Sequence, residues 1–217
     1  MGLFFGGLGV AWNKEVPVRL HALLRHFDSS IDSSPFPDLP IAGVQDDSRL
    51  VREGDLFIAR PGKKSDGAQF ALDAQTLGAA AIVSQSTIPG LSIPQIIVPD
   101  AAVAASKLAC AFAGNPSHFV KVVGVTGTNG KTTTTYLIRD ILNQNKLRCG
   151  MIGTVELDDG SRQIESNMTT PGAVQLAELL GTMRANHCRA CAIETSSHAL
   201  DQNRTAGIQY AGAGFTN

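Results

Sequence analysis

The run Lys121-Val-Val-Gly-Val-Thr-Gly-Thr-Asn-Gly-Lys-Thr-Thr133 decides the fold of this chain. It opens with apolar, mostly β-branched residues, which predict a buried strand of a parallel sheet. Closely spaced glycines then predict a tight turn, and from Lys131 to about Asn143 the pattern predicts a helix. A strand, a glycine-rich turn and a helix in this order begin a unit of a doubly wound α/β fold.

Strands alternate with helices on both sides of this run, so we predict an α/β chain with parallel sheets. Gly114-Asn-Pro116 ends the helix before the run, and we place a domain boundary near Ser117. The predicted domains are a small N-terminal α/β domain, 1–117, and the first half of a parallel-sheet domain, 118–217. The predicted strands are 41–44, 55–59, 79–83, 95–98, 121–126, 149–154, 188–194 and 209–215, and the predicted helices are 17–27, 70–77, 101–112, 131–143 and 175–186.

Composition limits the classes of protein to which this sequence can belong. The 217 residues carry a formal net charge of -1, which gives no electrostatic basis for generic binding to nucleic acid or to an acidic membrane. With 43% hydrophobic residues the chain is not mainly disordered. Its apolar start lacks both a basic segment and the roughly 20 apolar residues of a membrane helix. We interpret residues 1–15 as a disordered leader or a start-codon artefact, and we expect a cytoplasmic protein.

Four cysteines are too few for a disulfide scaffold in a chain of this length. Cys188 and Cys191 form a C-x-x-C pair, which is typical of zinc and redox sites. The pair lies in a predicted buried strand, where positions three apart face opposite sides, and no second Cys or His pair has ligand spacing. We therefore predict reduced, buried thiols rather than a metal site.

The glycine-rich turn of the central run predicts a phosphate-binding loop. Its glycines let backbone N–H groups curl around phosphate oxygens, and the N-terminus of the following helix favours an anion. In such loops the lysine, here Lys131, meets the β- and γ-phosphates, and the next hydroxyl, here Thr132, binds Mg²⁺. The strict pattern has glycine where this chain has Val125, so the loop is a variant. The alternative is a tight turn that feeds a helix and binds no nucleotide.

Glu194 ends a predicted strand of the same sheet. Ligands of open α/β sheets bind beyond the carboxyl ends of the strands, so we expect Glu194 to face the same site as Lys131. A carboxylate in that place suits Mg²⁺ or the orientation of a water molecule. The alternative is a carboxylate that caps the next turn, at Ser196-Ser197.

The polar loop after Glu194 contains further candidates, namely Ser196, Ser197, His198, Gln202 and Arg204. A lone histidine such as His198 is more typical of a structural hydrogen bond than of catalysis. The alternative interpretation of Arg204 is that it is a solvated charge on the surface. Met168-Thr-Thr-Pro171 supplies the hydroxyls of Thr169 and Thr170 ahead of a helix, and Thr170 is alternatively the N-cap of that helix.

Two loops of the first domain also place hydroxyls and cations together. They are Asp47-Ser-Arg49 and Gly62-Lys-Lys-Ser-Asp-Gly67. Both compositions suit a diphosphate, and both are also typical of solvated turns. Periodicity does not decide between the two interpretations.

In combination, these segments resemble the Mur ligase family. Asp47-Ser-Arg49, Gly54-Asp-Leu-Phe57 and Asp66-Gly67 are similar to its uridine-nucleotide domain. Thr126-Gly-Thr-Asn-Gly-Lys-Thr-Thr133 is similar to its ATP loop, which shares the departure at Val125. The resemblance covers about residues 44–217, and the segments that favour the MurE type, the tripeptide synthetases, are Met168-Thr-Thr-Pro171, Glu194-Thr-Ser-Ser-His-Ala-Leu200, Gln202-x-Arg204 and Phe215-Thr-Asn217.

The resemblance implies an enzyme, an ATP-dependent amide ligase of peptidoglycan synthesis. With ATP and Mg²⁺, such a ligase phosphorylates the terminal carboxylate of UDP-MurNAc-L-Ala-D-Glu, and the amine of a diamino acid then displaces phosphate. The implied catalytic residues are Lys131 and Glu194, and the implied Mg²⁺ ligands are Thr132 and Glu194. The implied ATP contacts are Gly127, Thr128, Asn129, Gly130, Lys131, Thr132 and Thr133. The implied substrate contacts are Ser48, Lys63, Lys64, Ser65, Thr169, Thr170, Ser196, Gln202 and Arg204, of which Lys63 and Lys64 depart from the usual residues of the family.

The family pattern continues past Phe215-Thr-Asn217 with an Asp-His-Leu-Asp segment, a carbamylated lysine and a C-terminal domain that selects the amino acid. The resemblance therefore implies the N-terminal portion of a ligase, with a partial ATPase domain that is not competent alone. It leaves open whether the diamino acid is meso-diaminopimelate or lysine. Two alternatives remain: a non-catalytic module that binds the nucleotide or UDP-sugar, and another P-loop enzyme such as a small-molecule kinase, against which the uridine-domain segments argue.

Overall fold

Parallel strands form the first of two large sheets. The computed structural model describes residues 17–62, 66–166 and 168–217. Its early strands are β1 (Val18–Arg19), β2 (Pro40–Ile41), β3 (Gly43–Gln45), β4 (Asp55–Ile58), β5 (Ala81–Ser84) and β6 (Gln95–Ile97). Strands β3, β4, β5 and β6 form a parallel sheet in this order, and β1 pairs with β2 in a separate antiparallel ribbon.

Helices α1 (Leu20–Phe27), α2 (Ala71–Thr76) and α3 (Ala101–Phe112) accompany the first sheet. The alanines of α3 allow close packing, and the helix contacts α1 as well as β3, β4 and β5. Asp100 caps α3 because its carboxylate accepts hydrogen bonds from the N–H groups of Ala102 and Val103. Buried leucines of α1, β4 and α3 fill the core between these elements.

The second sheet carries the central run. Its strands are β7 (Lys121–Gly127), β8 (Cys149–Ile152), β9 (Glu156–Asp158), β10 (Gln163–Glu165), β11 (Ala190–Glu194) and β12 (Tyr210–Thr216). Their order is β10-β9-β8-β11-β7-β12. Strands β8, β11, β7 and β12 are parallel, so their carboxyl ends meet at one edge, and β9 and β10 add an antiparallel hairpin. Every residue of β11 is buried, as expected for a central strand.

The part of the chain that carries the second sheet is called the second half here, and the part before it the first half. Helices of the second half are α4 (Lys131–Gln144), α5 (Ala173–Ala185) and α6 (Ser197–Asp201). Helix α5 packs against α3 of the first half. The fully buried hydroxyl of Ser106 in α3 donates to the carbonyl of Arg204 at 2.9 Å and accepts from the N–H of Gly207 at 2.9 Å. Two residues of the second half are therefore tied by hydrogen bonds to a helix of the first.

The observed fold confirms the predicted α/β class with parallel sheets. Helix α3 has the predicted bounds, and the other predicted elements are found with shifted ends. The prediction of one strand over 41–44 was wrong, because the chain there divides between β2 and β3. Sequence patterns also missed β1, the hairpin of β9 and β10, and α6. The domain boundary near Ser117 stays a prediction, and the predicted leader at 1–15 lies outside the described residues, which begin at 17.

Burial governs the chemistry of the cysteine pair. Cys188 and Cys191 are free and buried, as predicted. Burial raises the pKa of the Cys188 thiol to about 11 and that of Cys191 well above its ordinary value. Both side chains therefore stay protonated near neutral pH and are poor nucleophiles. Separately, no helix in the described parts of the chain is long and apolar enough to cross a membrane.

Candidate functional site

The predicted phosphate loop joins β7 to α4. Gly127 ends β7 with a φ of 134°, and Gly130 precedes α4 with a φ of 78°, both outside the range that other residues adopt easily. A Cβ atom on Gly127 would lie 1.9 Å from the carbonyl oxygen of Thr216 in β12. The loop is therefore shaped by glycine at two points and rests against the neighbouring strand. Thr128, Asn129 and Gly130 are exposed, which leaves the loop open to a ligand.

Lys131 begins α4 directly after the loop. Its Nζ donates hydrogen bonds to the carbonyls of Gly127 at 2.7 Å and Thr128 at 3.1 Å. The ammonium thus lies over the loop, at the place where the loop would bind a phosphate. Thr132 and Thr133 follow in the first turn of this helix, where free N–H groups and the helix dipole favour an anion.

Glu194 lies at the carboxyl end of β11, beside the strand that leads into the loop. In the parallel register Glu194 is opposite Val125 of β7, two residues before Gly127. The residue is 1% exposed. Oε1 accepts a hydrogen bond from the N–H of Thr154 at 3.0 Å, and Oε2 accepts one from Oγ1 of Thr154 at 3.0 Å. The carboxylate is therefore buried, oriented and directed toward the edge of the sheet where the strands end.

Gly153 makes the position of Glu194 sterically possible. A Cβ atom on Gly153 would lie 2.5 Å from Oε1 of Glu194, so any side chain there would displace the carboxylate. The turn after β8 is held by a hydrogen bond from Gly153 N to the carbonyl of Glu156 at 3.0 Å. The segment Gly153-Thr154 thus forms a cradle for the acidic group.

Thr170 fastens the backbone that follows Glu194. Its buried hydroxyl donates to the carbonyl of Glu194 at 2.8 Å and accepts from the N–H of Ser196 at 3.0 Å. The alternative in which Thr170 caps the next helix was wrong, since Gly172 occupies the N-cap of α5. The hydroxyl has a better partner in the end of β11 than in the helix.

Ser196 caps α6, because its Oγ accepts a hydrogen bond from the N–H of Ala199 at 3.2 Å. This overturns the alternative in which Glu194 caps that turn. Ser196 Oγ also lies 3.3 Å from the hydroxyl of Thr170. The hydroxyl groups of the two segments therefore meet directly beside the end of β11.

Gln202 and Arg204 continue the same network. Arg204 donates from Nη1 to the carbonyl of Thr170 at 2.7 Å, and from Nε and Nη2 to Oε1 of Gln202 at 3.0 and 2.7 Å. Partial burial, and to a lesser extent the nearby guanidinium of Arg60, lowers the pKa of Arg204 from its ordinary value. The interpretation of Arg204 as a solvated surface charge was therefore wrong. His198 Nε2 pairs with Nε2 of Gln202 at 2.9 Å, which is a structural hydrogen bond.

The structure thus joins Glu194 and the five substrate candidates of the second half in one hydrogen-bonded network, which does not include the phosphate loop. Its members are Thr154, Thr169, Thr170, Glu194, Ser196, Gln202 and Arg204. Sequence reasoning missed Thr154, although a polar residue at the predicted end of a parallel strand was a signal for it. Ser48 lies between β3 and β4 of the first sheet, in a 3₁₀ helix over Ser48–Leu50 that Asp47 caps. The candidates Lys63, Lys64 and Ser65 lie outside the described residues.

Comparison with known families gives two matches along the chain. Residues 40–113 match the Mur ligase family, catalytic domain, and residues 125–217 match the Mur ligase middle domain. The first match covers the four-stranded sheet, and the second covers the six-stranded sheet apart from the first four residues of β7. All residues of the network described above lie in the second matched segment.

Curated relatives agree with these matches. A UDP-N-acetylmuramoyl-L-alanyl-D-glutamate--2,6-diaminopimelate ligase of Gloeobacter violaceus is 41% identical over 202 residues, which are 92% of this chain and 41% of the relative. A UDP-N-acetylmuramyl-tripeptide synthetase of Deinococcus radiodurans is 39% identical over 191 residues, which are 86% of this chain and 39% of the relative. The chain therefore spans about two fifths of the length of these relatives.

Solved structures show the same fold. The structure of a UDP-N-acetylmuramoyl-L-alanyl-D-glutamate--2,6-diaminopimelate ligase matches with a TM-score of 0.76 and 25% identity, covering 93% of this chain and 40% of that one. A crystal structure of MurF from Acinetobacter baumannii matches with a TM-score of 0.62 and 20% identity, covering 92% and 41%. The second likeness concerns the fold alone.

Proposed function

Because the chain belongs to the Mur ligase family, we propose that it supplies the nucleotide-binding part of an ATP-dependent ligase of peptidoglycan synthesis. The ligase adds a diamino acid to UDP-MurNAc-L-Ala-D-Glu in the cytoplasm. The observation that carries this proposal is the network around Glu194, which links the predicted substrate residues to a carboxylate beside the phosphate loop.

The loop and the first turn of α4 form the proposed ATP site. Backbone N–H groups between Gly127 and Thr133, apart from that of Asn129, which donates to the carbonyl of Asn217 at 2.6 Å, would donate to the phosphates, and the dipole of α4 would favour their charge. Lys131 uses two of its three N–H donors on the carbonyls of Gly127 and Thr128, which leaves one donor for a phosphate oxygen. Its ammonium then neutralises charge that develops as the γ-phosphoryl group moves to the carboxylate of the substrate.

The oxygen donors of the site suit Mg²⁺, and Thr132 and Glu194 would hold it. Hydroxyl and carboxylate oxygens are hard ligands of the kind that this cation prefers. Each carboxylate oxygen of Glu194 accepts one hydrogen bond from Thr154, which leaves lone pairs on both oxygens for a cation. When bound, the cation neutralises phosphate charge and polarises the transferred group.

The proposed substrate contacts belong to the hydrogen-bonded network around Glu194. Thr169, Thr170, Ser196, Gln202 and Arg204 present hydroxyl, amide and guanidinium groups that suit the polar groups of a peptide. In the proposed reaction a carboxylate oxygen attacks the γ-phosphorus, and ADP leaves. The amine nitrogen of the diamino acid then attacks the acyl carbon, a proton is lost from nitrogen, and phosphate leaves as the amide forms.

Calorimetric titration of the chain with UDP-MurNAc-L-Ala-D-Glu, and separately with Mg·ATP, tests the proposal. We expect both ligands to bind. Lys131→Met is expected to weaken Mg·ATP binding by about 10- to 100-fold without changing the affinity for the muramoyl nucleotide. Lys121→Met, an exposed change at the opposite end of β7, is the matched control. A folded chain that binds neither ligand would refute the proposal, and binding of the muramoyl nucleotide alone would favour a non-catalytic module.

A further inference from the structure

Thr154 makes three hydrogen bonds at the centre of the site. Its N–H and its hydroxyl bind the two different oxygens of the Glu194 carboxylate, each at 3.0 Å. The same hydroxyl lies 3.0 Å from the hydroxyl of Thr169. One residue therefore contacts both oxygens of the proposed Mg²⁺ ligand and a proposed substrate contact.

The direction of these hydrogen bonds follows from the number of protons. A hydroxyl has one proton to donate, and an ionised carboxylate can only accept. The proton of Thr154 is therefore given to Glu194, and Thr169 must donate its own proton to Thr154. Thr169 consequently faces a ligand only as a hydrogen-bond acceptor, which suits an N–H or O–H group of a substrate rather than a carboxylate.

We propose that Thr154 is a positioning residue, which fixes the orientation of the Glu194 carboxylate and makes Thr169 an acceptor toward the substrate. The proposed roles of Glu194 and Thr169 rest on the proposed function, whereas the clamp itself rests on the geometry. Two points of attachment on one carboxylate restrict its rotation, because both oxygens are held by the same rigid segment. Gly153 adds a steric wall on the side of Oε1.

A double-mutant cycle tests the clamp without any ligand. Thr154→Val keeps the shape of the side chain and removes the hydroxyl, and Glu194→Gln replaces one carboxylate oxygen with an amide. We expect the two changes to be non-additive by about 5- to 10-fold in the unfolding equilibrium constant. Thr182→Val, whose hydroxyl bonds to the carbonyl of Glu178 within α5, is the matched control and should add to Glu194→Gln independently. Additive effects of Thr154→Val and Glu194→Gln would overturn the proposal.

Titration of the same variants with Mg²⁺ and ATP tests the consequence for the site. Loss of a residue that orients a metal ligand typically weakens metal affinity by about 10- to 100-fold. We expect that loss for Thr154→Val in the Mg²⁺-dependent part of ATP binding, with metal-free ATP affinity unchanged and with Thr154→Ser restoring the Mg²⁺ dependence. A serine variant as weak as the valine variant would overturn the proposal. Absence of Mg·ATP binding by the unmodified chain would instead refute the proposed function, while non-additivity in the cycle would still support the clamp.

Discussion

Replacement of Gly127 by alanine is expected to damage both the stability of the chain and its phosphate loop. Gly127 has a φ of 134°, a region that is nearly restricted to glycine. A side chain there costs about 1–3 kcal/mol in backbone strain. The added Cβ would also lie 1.9 Å from the carbonyl oxygen of Thr216, whereas real contacts of this kind begin near 3.0 Å. The end of β12 must therefore move by about 1 Å, as the difference between these two distances requires.

This displacement adds a second penalty to the strain. Thr216 pairs with Gly127 and Phe215 pairs with Thr126 at the end of the ladder between β12 and β7. Loss of one or two backbone hydrogen bonds costs about 0.5–1.5 kcal/mol each. Gly127→Ala is therefore expected to lower the free energy of unfolding by about 2–5 kcal/mol. Its Mg·ATP binding should also be weaker, because a Cβ on Gly127 would shift the backbone of the proposed ATP loop.

Two further glycines provide matched controls in denaturant unfolding. Gly130 has a φ of 78°, but the nearest atom to its added Cβ is 3.9 Å away, so Gly130→Ala should cost only the strain, about 1–2 kcal/mol. Gly212 in β12 has open space around its Cβ, and Gly212→Ala should change stability by less than about 1 kcal/mol. The reasoning would be refuted if Gly127→Ala were no more destabilising than Gly130→Ala, since the clash with β12 would then be of no consequence.

Two other predictions concern buried polar groups of the first half. Ser106→Ala removes the hydroxyl that pairs with the backbone of both Arg204 and Gly207, so it should lower the free energy of unfolding by about 1–3 kcal/mol in denaturant unfolding. The control Ser30→Ala, at an exposed position, should change the free energy of unfolding little. Equal effects of the two changes would contradict this prediction. Burial raises the pKa of the Asp55 carboxyl in the folded chain above its ordinary value of 3.8. The contribution of Asp55 to the free energy of unfolding is therefore complete below the pKa of the unfolded chain, and it is lost as the pH rises through the pKa of the folded chain. The Asp55→Asn variant should therefore gain stability relative to the unmodified chain as the pH is raised from about 4 to 7. If the free energies of unfolding of the two proteins changed in parallel with pH, the raised pKa of Asp55 would be excluded as a cause of pH dependence.

Local signals explain which elements could be predicted. Helix α3 was predicted with its observed bounds because both of its ends are encoded nearby, by the cap at Asp100 and by Gly114-Asn-Pro116. Strands β9 and β10 have three residues each and alternate polar groups around an Asp-Gly-Ser turn, which is too short a pattern to show a period. Their hairpin depends on pairing with β8, and such a contact cannot be inferred from the segment alone.

The candidate site shows the same division between local and distant information. Lys131 and its loop lie in one continuous segment, and Glu194 could be placed beside them because parallel strands end at a common edge. The clamp on Glu194 was missed because Thr154 precedes it by 40 residues. The alternatives for Thr170 and Arg204 failed for the same reason, since their partners lie 24 and 34 residues away.

The two charged groups of the site are both held by hydrogen bonds within the chain. Lys131 gives two of its three N–H donors to the carbonyls of its own loop, so one donor remains for a phosphate. The Glu194 carboxylate keeps its bonds to Thr154 and still has free lone pairs, so a cation can bind without breaking any of them. We infer that both halves of the site are organised in advance, the basic half by the carbonyls of its own loop and the acidic half by Thr154. Loss of the lysine ammonium should therefore weaken nucleotide binding with and without Mg²⁺, while loss of the Thr154 hydroxyl should act only when Mg²⁺ is present.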